Sequence, residues 1–74
     1  MRVVLSLDLL NHVKRNIEVF GLPRRVFLLK NVSTRNGMLE LPEDALPLSY
    51  MTVDELMAKL ERYRNEYSYV MLEW

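Results

Sequence analysis

Hydrophobic positions recur along this chain with two different periods, and the switches between them mark out its elements. Residues 2–7, Arg-Val-Val-Leu-Ser-Leu, alternate. Val3, Leu5 and Leu7 point one way and Arg2, Val4 and Ser6 the other, as in a strand. From Leu9 the period becomes 3.6. Leu9, Leu10, Val13, Ile17 and Phe20 share one face, with Asn11, Lys14, Arg15 and Glu18 opposite. Asp8 is placed as the N-cap of this helix, over 9–20, because its carboxylate accepts from free first-turn amides. Gly21 suits the left-handed residue that ends a helix, and Pro23 stops it.

The middle of the chain is built from β-formers and turn residues. Arg24 to Val32, RRVFLLKNV, leads to Asn36-Gly37 and then Met38-Leu39-Glu40-Leu41. Both central residues of a type I′ turn need positive φ, so Asn-Gly between such runs predicts a hairpin. Strands are expected at 25–34 and 38–41. Pro42 to Ser49, PEDALPLS, reads as a loop.

The longest helical pattern follows. Thr52-Val-Asp-Glu55 is a capping box, in which the threonine accepts from the Glu55 amide and the glutamate accepts in return from Thr52. Val53, Leu56, Met57 and Leu60 then form the apolar stripe of a helix over 53–64. Beyond it, Tyr67-Ser-Tyr-Val-Met-Leu-Glu-Trp74 has the composition of a strand. The helical spacing nevertheless continues through Tyr67, Val70, Met71 and Trp74, so two readings stand. As a strand the segment closes the sheet as an edge; as a helix it extends beyond a small core. The order is βαββα or βαββαβ. This predicts an α+β class, most simply a ferredoxin-like two-layer sandwich with both helices on one face of an antiparallel sheet.

Composition bounds what such a chain does. Its 74 residues make one domain, half of them hydrophobic. Cysteine is absent, which excludes a disulfide framework and thiolate metal sites and fits a cytoplasmic setting. No run of about 18 apolar residues spans a membrane, and Asp8 interrupts the first apolar run, which argues against a signal peptide. A domain this small often gains stability by oligomerising, so a homodimer or a partner-bound subunit is expected.

The net charge of zero conceals a split. Residues 1–37 carry seven Lys and Arg against two acidic residues, or +5, and residues 38–74 carry three against eight, or −5. Such segregation serves a basic binding face, or else the halves neutralise each other in the fold.

Candidate chemistry is sparse. His12 has no nucleophile or paired carboxylate at a telling distance. Glu43 and Asp44 are adjacent but lack further spaced metal ligands. Gly21 and Gly37 cannot build a phosphate-cradling loop. No catalytic residue, cofactor, metal or small-molecule substrate is therefore expected. In a ferredoxin-like sheet the central strands would be 2–7 and 38–41; neither holds an aromatic, so a base-stacking RNA platform is disfavoured.

Tyr63, Tyr67, Tyr69, Val70, Met71 and Trp74 remain as a cluster of the types enriched at interfaces. They predict a protein-interaction module: a regulator, inhibitor or accessory subunit of the kind common among phage and mobile-element proteins. A weaker alternative is a structural subunit of a larger assembly.

The run RVVLSLDLLNHVKRNIEVFGLPRR also resembles, over residues 2–31, the ribbon-helix-helix repressors. That resemblance implies a dimer whose paired strands read DNA through Arg2, Val4 and Ser6, with Arg24 and Arg25 opening a second helix near phosphates. Departures are the apolar Val4, the hairpin-like RRVFLLKNVSTRNG and the acidic C-terminal third.

Overall fold

The computed structural model describes residues 1–74, and it is α+β. Strand β1 is Arg2–Ser6, followed by a 3₁₀ turn at Leu7–Leu9 and helix α1 at Leu10–Phe20. Strands β2 (Arg25–Leu29), β3 (Ser33–Arg35), β4 (Met38–Glu40) and β5 (Leu46–Pro47) come next. Helix α2 spans Val53–Tyr63, and strand β6 spans Tyr69–Glu73. No helix is long and apolar enough to cross a membrane.

Two sheets form. The main one has the order β1-β6-β2-β5, antiparallel at every junction, and β3 and β4 make a separate two-stranded hairpin. The α+β class and the strand–helix–strands–helix–strand outline match the expectation, but four short strands rather than two separate the helices, and the ferredoxin-like strand order does not appear. Strand β1 is an edge, and residues 38–40 lie outside the main sheet. The C-terminal segment is a strand, and it is central rather than an edge. The reason lies in its side chains. Val70, Met71 and Leu72 are apolar on both faces, and a strand buried on both faces belongs in the middle of a sheet.

The core is one cluster on one side of the sheet. Val26 and Leu28 of β2 and Val70 and Leu72 of β6 meet Leu7, Val13 and Ile17 from the first helical segment and Leu56 and Leu60 from α2. Both helices therefore cover the same face, and no helix covers the other.

Local signals account for most boundaries. Asn36 and Gly37 have φ of 54° and 78°, so the predicted hairpin turn forms. Gly21, at φ 87°, ends α1, and its N–H donates to the Ile17 carbonyl at 2.8 Å. Thr52 Oγ1 accepts from the Glu55 amide at 3.1 Å. The return bond differs from expectation: the Glu55 carboxylate accepts from Met51 N–H at 3.4 Å.

Three boundaries depart from the sequence reading. Asp8 does not cap α1. The chain enters through a 3₁₀ turn, and Ser6 Oγ accepts from the Asp8 amide at 3.2 Å. Strand β2 stops at Leu29 rather than 34, because the chain bends away to form the hairpin. Within the expected loop 42–49, Leu46–Pro47 adds a short edge to β2, a place where a proline's missing N–H does no harm. This loop is pinned by Tyr50, whose hydroxyl donates to the Pro23 carbonyl, and burial pushes that hydroxyl's pKa up.

Leu72 is fully buried in the central strand. Leu72→Ala should lower stability by about 2–5 kcal/mol, and Thr52→Ala by about 1 kcal/mol. Urea unfolding monitored by circular dichroism measures both.

Candidate functional site

The helix-free face of the sheet gathers apolar, aromatic and arginine side chains. Strand register places its side chains in three rows. Arg2, Glu73 and Arg25 form the first, Val4, Met71 and Phe27 the second, and Ser6, Tyr69 and Leu29 the third. Pro47 flanks Phe27 on β5. The second row is an apolar strip whose centre, Met71, is buried by its neighbours, while Val4 and Phe27 remain half-buried.

The first row is an ionic clamp. Glu73 is the one buried charged residue, 5% exposed, and three arginines converge on it. Arg2 Nη2 lies 3.1 Å from Oε2, and Arg24 Nη2 lies 2.8 Å from Oε1. Arg25 donates to Oε1 through both Nε, at 2.9 Å, and Nη2. The clamp is backed by the main chain, where Arg24 N–H donates to the Glu73 carbonyl at 2.7 Å. The Arg25 hydrogen bonds, against the opposing effect of burial and with help from Arg24 and Arg2, hold the Glu73 carboxyl down to about 2. Three guanidiniums share one carboxylate, so two positive charges are left over. The arginine side chains are 44%, 68% and 56% exposed, which keeps donors available to solvent or to a partner.

The predicted site residues divide. Tyr69 and Met71 lie on this face, with Arg2, Val4 and Arg25, and Arg24 joins them through Glu73. Residues assigned separately to protein and to nucleic-acid recognition thus share one surface. Ser6 lies in the third row, but its Oγ is engaged by the Asp8 amide.

Four expected partner-binding residues are elsewhere. Val70 is fully buried in the core, because strand alternation turns it away from Tyr69 and Met71. Trp74 is a tie: its indole Nε1 donates to the Gly21 carbonyl at 2.7 Å, and its ring packs on Phe20 with centroids 5.4 Å apart. Tyr63 and Tyr67 stack edge to face at the end of α2, and Lys30 Nζ lies 5.6 Å from the Tyr67 ring centroid. The second helix implied by the ribbon-helix-helix resemblance is absent, since residues 25–29 are strand.

Phe27, Leu29 and Glu73 also lie on this face, and none of them belongs to a motif that marks it in the sequence. The alternation of RVFLL already groups Arg25, Phe27 and Leu29. What it lacks is the neighbouring strand, which sequence alone does not name.

Away from this face, a concavity of about 580 Å³ lies between the start of α1 and the end of α2. It is lined by Asp8, His12, Arg15, Glu61 and Arg64, among others. Arg64 already faces Glu61 at 3.5 Å. No three His, Asp or Glu side chains gather there or elsewhere in a metal-binding arrangement.

No family model, curated protein or solved structure matches this chain.

The depressed Glu73 carboxyl has a signed consequence. Its folded value, about 2, lies below the ordinary 4.5. The stabilisation it brings is complete above about pH 4.5 and is lost as pH falls toward 2. Glu73→Gln should lower the midpoint of thermal unfolding at neutral pH and flatten its decline between pH 4.5 and 2. Scanning calorimetry across that range checks both effects.

Proposed function

We propose that this chain is a non-enzymatic interaction module of the cytoplasm, a regulator, inhibitor or accessory subunit that seats a partner protein on the helix-free face of its sheet. The observation that carries this reading is the make-up of that face. Val4, Phe27, Tyr69 and Met71 adjoin three arginines that share the Glu73 carboxylate. Aromatics, methionine and arginine are the types enriched in interface cores, and tyrosine and arginine recur among residues that dominate binding energy.

The same make-up describes the partner. Two uncompensated positive charges call for an acidic group, and a carboxylate matches the planar fork of a guanidinium. The strip beside them calls for an apolar side chain next to that acid. Arginine clusters also suit phosphates. Here, however, a carboxylate sits among the arginines and an apolar strip lies beside them, which favours a protein over a nucleic-acid backbone.

The test is affinity capture from the cell of origin with the native chain and two variants. Arg24→Glu reverses the most exposed charge of the clamp. Val19→Ser changes an exposed residue of α1, away from the face. A partner captured by the native chain and by Val19→Ser, but weakened roughly tenfold by Arg24→Glu, is the expected outcome; tenfold is about 1.4 kcal/mol of binding. No capture, or capture indifferent to Arg24→Glu, overturns the proposal. So does retardation of duplex DNA at low salt that is released steeply as salt rises, which is the signature of phosphate contacts.

A further inference from the structure

The two edges of the main sheet are treated differently. At one edge, β5 is two residues long and one of them is Pro47, which has no N–H to offer. Short edges and edge prolines are how sheets block pairing with another chain. At the other edge, β1 runs five residues. It pairs one-to-one with β6 from Arg2↔Glu73 to Ser6↔Tyr69, so it carries no bulge. It contains no proline, and its only charge is Arg2 at one end.

Its free backbone groups can be assigned. Trp74 N–H donates to the Met1 carbonyl and Leu7 N–H to the Ser68 carbonyl, each at 2.9 Å. Hydrogen-bonded pairs alternate along an antiparallel ladder. Met1, Val3, Leu5 and Leu7 therefore bond inward to β6. The N–H groups of Arg2, Val4 and Ser6 point out of the sheet, with no strand to receive them.

We infer that β1 is a dimerisation strand that pairs antiparallel with β1 of a second copy about a twofold axis at Val4. Of the possible registers, only this one gives all three outward residues a partner: Val4 meets Val4 of the other copy, and Arg2 meets Ser6. It also keeps the two Arg2 side chains at opposite ends, so no like charges face each other. Val3 meets Leu5 on the helix side, covering apolar surface that is half-exposed in the monomer. The joined sheet has the order β5-β2-β6-β1-β1-β6-β2-β5. Its helix-free faces run together, and the two arginine clamps lie on one continuous surface. This pairing does not depend on what occupies that surface.

Amide exchange and mass test it together. Light scattering should give twice the 8.8 kDa chain mass, with dissociation on dilution. Amides of Val4 and Ser6 should be protected in the dimer and exchange fast once diluted, while Val3 and Leu5 stay protected in both states. Val4→Pro removes an outward N–H without breaking the ladder to β6, as edge positions tolerate. It should yield a folded monomer, whereas Arg24→Glu should remain dimeric. A native chain that is monomeric, or a dimer whose Val4 and Ser6 amides exchange freely, overturns the inference. So does a Val4→Pro variant that stays dimeric. If Val4→Pro fails to fold, the exchange pattern of the native chain decides alone.

Discussion

The structure depends on β6 lying between β1 and β2. Those two strands do not pair with each other, and only the C-terminal segment joins them into one sheet. Val70 and Leu72 supply the floor on which both helices rest, and Met71 fills the centre of the opposite face. The pairings of β1 with β6 join residues as far as 71 apart in sequence. Loop-closure entropy must be met before such contacts return anything, so the sheet is slow to nucleate compared with a helical bundle. No half of this chain holds a complete sheet, and folding is correspondingly all-or-none.

Glu73 gives that central strand its alignment. A shift of one residue would turn every β6 side chain to the opposite face. Glu73 would then enter the core beside Leu56 and Leu60, stripped of its arginines. A buried ion pair is a weak source of net stability, because desolvation offsets much of the attraction. Its effect here is on choice of register. The clamp also joins the basic N-terminal half of the chain to the acidic C-terminal half. It absorbs little of the charge split, since one carboxylate answers three guanidiniums.

What was legible in the sequence follows from the range of each signal. Both helices and the Asn36-Gly37 turn are specified by residues within a few positions of one another, and they form where expected. Asp8 has the chemistry of a cap, but Ser6, two residues earlier, does that work for a preceding turn. Strand order was not legible, because which strands meet is decided by side chains some seventy positions apart. The candidate site shows the same limit. Helical spacing groups Val70 with Tyr67 and Trp74. Strand alternation separates them, sending Val70 to the core and Tyr69 and Met71 to the face they share with Arg2 and Val4. Glu73 looked like one of eight acidic residues in its half. Only the sheet shows that it is surrounded.

The β3–β4 hairpin stands apart from all of this. Its strands pair only with each other, and its apolar Val32, Met38 and Leu41 are exposed. It closes through two positive-φ residues at the tip and shares no ladder with the main sheet. Lengthening the tip would leave every core contact in place, and exposed loop tips of this kind are where chains accept insertions. The hairpin therefore suits the domain as a scaffold: a foreign peptide spliced between Asn36 and Gly37 would extend from an arm that shares no strand pairing with the main sheet.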